Sequence, residues 1–313
     1  MRATLLALNE ELIRLKAAGV KSVSISDDSI RLLRKWAGAS ARAAPIAVLP
    51  RSGTPVAPIE AAPPASAPPS FGEPPRPTPA IKAAAPLPDL PAAPTVNLPK
   101  GDKQTRWDAL RDQVKADPVC QRELRPGKQV VVGVGNLDAA VAFFGEAPGA
   151  EEEEQGEPFV GPAGQLLTKM IAGMGVKRED VYIGNIMNWR PQLPTVDGRD
   201  QEGNRPPTAA EMTYCLPYMM AQIEIVQPRV IVALGATAAK AFLGFDRFKA
   251  LGEVRGKWHE FSGTLVMVTY HPSYILRNQS NRSKRVIWED LLQVMERVEM
   301  PITDKQRGFF AAE

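Results

Sequence analysis

Beyond residue 101 the chain alternates short apolar runs with longer stretches of helical spacing, and this alternation limits its fold more than any other feature. The runs are AVAFFG, VYIGNI, RVIVALG and TLVMVTY, and each ends in a polar or glycine-containing turn. The helical stretches that follow them are Gln165–Met174, Ala209–Val226, Ala236–Leu243 and Arg285–Val298, the second with Thr208 as its predicted N-cap. This order is typical of an α/β protein. We therefore predict three α/β/α layers around a central, mainly parallel, four-stranded sheet.

The sequence before residue 101 has a different composition and divides into two parts. Residues 1–40 contain LLALNEELIRLKAAG and SISDDSIRLLRKWAG, whose apolar spacing predicts a small helical element. Residues 41–100 are dominated by alanine and proline, which bury too little apolar surface to fold, so we predict a disordered, extended linker. An α/β domain is predicted at 101–300 and a C-terminal tail at 301–313.

Composition narrows the functional classes. The formal net charge is only +3, so a nucleic-acid partner requires a local basic face. No apolar run approaches the ~20 residues of a membrane-spanning helix, which argues against a membrane role. Two cysteines are too few for a disulfide framework, and acidic residues interrupt the first segment where a signal peptide would be apolar. We predict a cytoplasmic monomer whose N-terminal helices are available to a protein partner.

Polar motifs follow three of the four predicted strands. The first strand leads into GEAPGAEEEEQGEPFVGPAGQLL, the second ends in NIMNWRP, and the fourth ends in YHPSYILRNQSNR. Because ligands of open α/β sheets bind at the carboxyl ends of the strands, Glu146, Asn185 and His271 are candidate site residues. Gly161, Gly164 and Gln165 form a helix start, where backbone N–H groups are suited to a phosphate.

The motifs GEAPG, PFVGPAGQLL, VYIGNIMNWRP, VIVALGATAAKAFLG and HPSYILR, in this order, resemble those of family 4 uracil-DNA glycosylases over about residues 128–297. The resemblance implies a monofunctional enzyme that removes a flipped-out uracil from DNA in base excision repair and leaves an abasic site. It therefore also implies that the protein is associated with the nucleoid. It also implies a set of catalytic residues, namely Glu146, Asn185 and His271. The substrate pocket it implies further includes Gly145, Ala147 and Phe159.

Each of these residue types suits its implied role. Phe159 stacks on the pyrimidine, and the Asn185 amide pairs with O4 and N3–H of uracil but not with the opposite pattern of cytosine. His271 donates a hydrogen bond to O2 while negative charge builds on the leaving base. Glu146 either activates the attacking water or occupies the space of a thymine methyl group, and the sequence leaves both roles open. Ala147 stands where relatives outside family 4 carry an aspartate, so a strong general base is absent there.

Further polar segments have weaker interpretations. The resemblance implies that Ser273 and Arg277 contact phosphates or wedge into the minor groove. Arg282, Lys284 and Arg285 are either additional phosphate contacts or a solvated helix start. The acidic run 151–154 is interpreted as a solvated loop, and GVGN at 133–136 as a plain turn.

Family 4 enzymes typically hold a four-iron, four-sulfur cluster on four cysteines, and this chain departs from that pattern. Cys215 in TYCLPYM matches one ligand, Cys120 is interpreted as a remnant of another, and Trp189 stands in the position of a third. Two thiolates cannot hold such a cluster, so we predict no cofactor and no bound metal. Trp189 is expected to fill the vacated volume, with the loop from Pro191 to Pro207 held by packing.

Two other functions remain open from the sequence. The chain is alternatively a catalytically weak DNA-binding or scaffold protein that retains the fold, or a glycosylase for another deaminated base. The presence of Glu146, Phe159, Asn185 and His271 argues against the scaffold, and Asn185 favours uracil. No lysine lies in the motifs that carry Glu146, Phe159, Asn185 and His271, so a Schiff-base lyase step is not supported.

Overall fold

The described part of the chain in the computed structural model comprises residues 90–193, 201 and 203–311. All of them belong to the unit Thr78–Glu313. The predicted helical element at 1–40 and the predicted linker up to residue 89 lie outside the described residues. The last part of that linker contains Leu90, Val96 and Leu98, which pack against the core and extend its contacts N-terminal to residue 101.

Helices and strands alternate along the described chain. The helices are α1 Lys103–Ala116, α2 Pro118–Arg122, α3 Ala150–Gln155, α4 Pro162–Gly173, α5 Ala209–Val226, α6 Gly235–Leu243, α7 Pro272–Arg277, α8 Asn281–Arg297 and α9 Asp304–Arg307. The strands are β1 Val134–Gly135, β2 Val141–Gly145, β3 Tyr182–Asn185, β4 Val230–Leu234, β5 Trp258–Phe261 and β6 Thr264–Thr269. None of the described helices is long and apolar enough to cross a membrane.

The strands form one mixed sheet in the order β1-β3-β2-β4-β6-β5. Its four central strands, β3, β2, β4 and β6, are parallel and correspond to the four predicted runs. The antiparallel edge strands β1 and β5 raise the count among the described residues to six, so the four-stranded prediction was too small. The turn predicted at GVGN was also wrong, since Val134 and Gly135 pair with β3. A two-residue strand is too short to produce a readable pattern.

Two apolar cores, one on each face of the sheet, confirm the predicted three layers. Along β2, Val141 and Phe143 join the core formed with α4 and α8, whereas Ala142 and Phe144 join the core formed with α1, α5 and α6. Strands buried on both faces are expected where helices cover a parallel sheet. The layers leave the carboxyl ends of the central strands as an open edge of the fold.

Capping residues determine where the helices begin. The predicted N-cap Thr208 is confirmed, because its hydroxyl accepts from the Glu211 amide at 3.2 Å and the Glu211 carboxylate accepts from the Thr208 amide at 2.7 Å. Helix α4 begins at Pro162 rather than Gln165, since proline suits the first helical position. Helix α8 begins one turn earlier than predicted because the Ser280 hydroxyl caps it.

Candidate active site

One cavity of about 660 Å³ lies at the carboxyl ends of β2, β3, β4 and β6. The predicted site residues that line it are Glu146, Ala147, Phe159, Gly161, Asn185, His271, Ser273 and Arg277. Gly145, Gly164 and Gln165 do not line it. The fold therefore brings together side chains that are up to 131 positions apart, from Glu146 to Arg277 (277 − 146 = 131).

Phe159 is held between two glycines in a backbone conformation that is uncommon for its residue type. Its φ is +56°, in the left-handed region. A β carbon at Gly145 would lie 2.4 Å from Phe159 Cζ and 2.6 Å from Asn185 Oδ1. A β carbon at Gly164 would lie 1.8 Å from the Phe159 carbonyl oxygen. Gly145 and Gly164 thus act behind the cavity, where they make room for the aromatic ring and its backbone.

Gly164→Ala is expected to lower the free energy of unfolding by about 3 kcal/mol, the upper end for overpacking, because the clash is with backbone rather than with a flexible side chain. Chemical denaturation measures this. Gly252→Ala is the matched control, since a β carbon at that position would meet no described atom within 4 Å. Equal losses in the two variants would contradict the assigned contact.

The acidic run 151–154 is not a solvated loop, so that prediction was wrong. It lies in helix α3, where Glu152 and Glu153 are buried. Glu152 accepts hydrogen bonds from the amides of Gly149, Val160 and Gly161 at 2.9, 3.1 and 3.0 Å. These contacts stabilise the segment that follows Phe159. Buried carboxylates are tolerated here because each has fixed partners.

Arginine hydrogen bonds hold the wall of the cavity that follows β3. Arg190 pairs with Glu153 at 2.8 Å and donates to Asn204 Oδ1 at 2.7 Å and to the Gly203 carbonyl at 2.8 Å. Gln201 accepts from Arg125 at 2.6 Å. Gly203 and Asn204 line the cavity. The expectation that packing alone holds the loop from 191 to 207 is therefore wrong for its described residues, because arginine side chains bond directly to its backbone.

Arg205 completes this wall by a bidentate pair. Its guanidinium donates to the two oxygens of Glu211 at 2.8 and 2.6 Å and to the Gln192 carbonyl at 2.7 Å. Because Glu211 also caps α5, the pair joins the loop to a core helix. The sequence pattern did not identify these arginines, since Arg190 pairs with Glu153 37 positions away and Arg205 itself was assigned to a loop.

Asn185 and Glu146 present polar groups to the cavity from adjacent strands. Asn185 is 6% exposed, and its Oδ1 has no hydrogen-bond partner among the described residues. A buried acceptor without a partner is costly and points to a missing donor. The Glu146 carboxylate accepts a hydrogen bond from the Thr237 hydroxyl. Burial raises the pKa of Glu146, and the bond from Thr237 opposes that shift.

His271 is the N-cap of α7, and its hydrogen bonds define its tautomer. Nδ1 accepts from the Ser273 amide at 3.2 Å and lies 2.9 Å from Ser273 Oγ. Burial and the positive charge of Arg277 lower the pKa of His271 to about 4. The ring is therefore neutral at physiological pH, with its proton on Nε2. Its centroid lies 5.6 Å from that of Phe159, with 30° between the ring planes.

Two tyrosines that sequence reasoning missed extend this side of the cavity. Tyr270 and Tyr274 are stacked with centroids 4.4 Å apart, and both line the cavity. The Arg255 guanidinium lies 5.6 Å from the Tyr270 ring centre and pairs with the buried Asp290 at 2.8 Å. The four-residue spacing of the two tyrosines around the HPS motif was the available signal.

Comparison with known proteins agrees with this geometry. The sequence profile described as the uracil DNA glycosylase superfamily matches residues 132–292. The chain belongs to this superfamily. The matched residues contain β2, β3, β4 and β6, which carry the cavity.

Several relatives of this superfamily member are named type-4 uracil-DNA glycosylases. The Thermotoga maritima protein is 43% identical over 190 residues, which are 60% of this chain and 93% of the relative. The Pyrobaculum aerophilum protein is 42% identical over 163 residues, or 50% of this chain and 78% of the relative. The Archaeoglobus fulgidus protein is 40% identical over 177 residues, or 54% and 84%.

The cysteine region of this superfamily member is packed with aromatic side chains. Cys120 and Cys215 are both buried, and burial raises the pKa of both thiols. Trp189 is fully buried, with its ring edge-on to Tyr214 at 6.1 Å. In the described ranges, no three His, Cys, Asp or Glu side chains are grouped to bind a metal. The residues present do not fit a four-iron, four-sulfur cluster, which requires four thiolates or equivalent donors.

A buried carboxylate also lies in this region. Asp117 accepts from the hydroxyls of Tyr214 and Tyr218 at 2.9 and 2.8 Å and from the Cys120 amide at 2.7 Å. These bonds join α2 to α5 beside both cysteines. Hydrogen bonds and aromatic packing therefore connect the elements that carry the two thiols.

Proposed function

We propose that this protein is a uracil-DNA glycosylase that hydrolyses the N-glycosidic bond of uracil in DNA and leaves an abasic site for base excision repair. The observation that carries the proposal is the buried Asn185 amide, because Asn185 lines the same cavity as Phe159 and His271 and its Oδ1 has no hydrogen-bond partner among the described residues. Uracil supplies the missing donor through N3–H and accepts from the amide through O4. The names of the type-4 relatives support the same activity.

The side chains have complementary roles in this reaction. Phe159 stacks on the flipped base, and His271 donates from Nε2 to O2 as the bond between N1 and C1′ breaks. The electron pair of that bond leaves with uracil, and a water oxygen bonds to C1′. Glu146 lines the same cavity, and its position there is compatible with either of its two roles, water activation or exclusion of the thymine methyl group.

In the proposed complex, residues at the rim of the cavity contact the DNA. Arg277 is exposed there, and Ser273 and Gly161 lie beside it on the cavity lining. Arg282 is exposed in the first turn of α8, where it suits a flanking phosphate. Arg285 is engaged differently, since it donates to the carbonyls of Arg307 and Phe309 at 2.6 and 2.9 Å.

A cleavage assay tests the function directly. A labelled oligonucleotide with one uracil is treated with the protein and then with alkali, in parallel with oligonucleotides that carry thymine, cytosine or hypoxanthine at the same position. We expect cleavage at uracil only, since the Asn185 amide favours that base. The cleavage should require alkali, because no lysine that could form a Schiff base is found among the described residues that line the cavity. A folded protein that leaves uracil intact would contradict the proposal and favour the scaffold. Cleavage at hypoxanthine instead would favour another deaminated base.

We also propose that the enzyme works without an iron-sulfur cluster. Protein purified anaerobically from iron-supplemented cells is expected to contain less than about 0.1 iron per chain and to lack visible absorption, because two thiols cannot ligate a cubane. Iron and sulfide analysis measures this, and a chelator should leave uracil excision unchanged. About four iron atoms per chain would refute the proposal.

The proposal also covers the oligomeric state of the enzyme and its location in the cell. We infer that it acts as a monomer on DNA inside the cell. Residues 1–40 stay a predicted contact for a protein partner. Gel filtration of the full chain with and without DNA tests the monomer.

A further inference from the structure

The carboxylate of Glu146 depends on a residue outside the roles assigned so far. Within the described ranges, its side-chain hydrogen bond comes from the Thr237 hydroxyl, which donates to Oε2. Thr237 belongs to the motif GATAAKAFLG, which the proposed reaction does not otherwise use. Both side chains line the cavity. Glu146 follows β2 and Thr237 follows β4, which are neighbouring parallel strands.

The backbone holds Thr237 in place. The chain turns from β4 directly into α6 at Gly235, whose φ is +89° and whose added β carbon would lie 3.1 Å from His271 Cβ. Thr237 is in the first turn of α6. The next two residues, Ala238 and Ala239, are fully buried in the core. The hydroxyl is therefore presented by a packed helix rather than by an exposed loop.

The Thr237 hydroxyl affects whether the Glu146 carboxyl is ionised. Burial favours the neutral carboxyl and raises its pKa, whereas the hydrogen bond from Thr237 favours the carboxylate. The other titratable or charged groups that line the cavity are Glu151, Glu152, Arg190, Tyr270, His271, Tyr274 and Arg277. In the part of the chain that the structure describes, none of these groups is hydrogen-bonded to the Glu146 carboxylate.

We propose that Thr237 is a positioning residue for uracil excision, which holds the Glu146 carboxylate ionised through Oε2 and leaves Oε1 to accept from the attacking water. The inference rests on the proposed function and selects water activation among the two roles of Glu146. As the water oxygen bonds to C1′, its proton passes to Oε1. The pair of electrons from the broken bond leaves with uracil, so charge and atoms balance.

Two substitutions separate the hydroxyl from the shape of the side chain. Thr237→Val keeps the volume but removes the donor, and Thr237→Ser keeps the donor. Single-turnover excision of uracil is measured against pH, with DNA affinity measured separately. We expect Thr237→Val to slow excision at neutral pH by about tenfold and to shift the acidic limb of the pH profile upward by about one pH unit, since a lost bond to a charged group raises the carboxyl pKa. DNA affinity should not change.

Thr237→Ser is expected to excise uracil at a rate within about threefold of wild type and to keep the wild-type pH profile, because it retains the hydroxyl donor. Thr213→Val, an exposed position on α5, is the matched control and should behave as wild type. An unchanged excision rate and pH profile in Thr237→Val would overturn the inference. A slower rate in Thr237→Val without a shift of the pH profile, together with an equally slow Thr237→Ser, would show a packing role and would also overturn it. If the wild-type protein does not excise uracil, the proposed function itself is contradicted. This result is distinguishable from a failure of the Thr237 inference, because the wild type is measured before any variant.

Discussion

His271→Ala is expected to slow uracil excision by about a hundred- to a thousandfold, the loss typical of one preorganised donor to a developing anion. The donor is Nε2–H, because Nδ1 is occupied by the Ser273 amide at 3.2 Å. A neutral ring held in this orientation needs no rearrangement as charge builds on O2. Single-turnover excision measures the loss, with binding to uracil-containing DNA expected to change little.

His259→Ala is the matched control, since the chain has two histidines and His259 lies on edge strand β5, with Nε2 2.9 Å from the Val254 carbonyl. It should excise uracil at the wild-type rate. Equal losses in both variants would refute the role of His271.

The pH dependence of stability gives a second readout on the same residue. The folded-state pKa of His271, about 4, is below the ordinary value of 6.5, so the unfolded chain binds the proton first. Its contribution to the free energy of unfolding therefore decreases as pH falls from 6.5 and is fully lost below about 4. The difference between wild type and His271→Ala should follow this window.

Asn185→Ala is expected to slow uracil excision by at least about a hundredfold and to narrow the ratio of uracil to cytosine excision. The amide is 6% exposed, and its Oδ1 has no hydrogen-bond partner among the described residues. In the proposed complex N3–H of uracil donates to this oxygen, whereas cytosine has no donor at N3. Alanine removes both the pairing and the discrimination. Excision rates on matched uracil and cytosine oligonucleotides measure the two effects.

Asn188→Ala provides the control for this variant. Asn188 is also buried, and its Oδ1 likewise has no partner in the part of the chain that the structure describes, but its amide nitrogen donates to the Val131 carbonyl at 3.1 Å and it does not line the cavity. It is expected to lower stability without changing the base preference. A preserved ratio in Asn185→Ala, or an altered ratio in Asn188→Ala, would contradict the assignment.

The central sheet and the main helices were readable from the sequence because local signals specify them. The four apolar runs are buried on both faces, so their composition alone marks them as central strands. Thr208 and Glu211 lie three residues apart and cap their own helix, which a pattern detects. Strand β1 was missed because two residues carry no periodic signal.

Some features of the candidate site could also be predicted from local sequence motifs, whereas others became visible only in the structure. Sequence motifs at strand ends identified Glu146, Asn185 and His271, since parallel strands deliver their carboxyl ends to one edge. The buried state of Glu152 and Glu153 was not readable, because the Arg190 that pairs with Glu153 lies 37 positions away. The bond from Thr237 to Glu146 joins residues 91 positions apart. The sequence by itself thus determined the fold class and which candidate side chains follow the central strands, whereas tertiary structure alone decided which buried charges are paired and that the His271 ring is buried and neutral, because those depend on contacts between segments that no local pattern records.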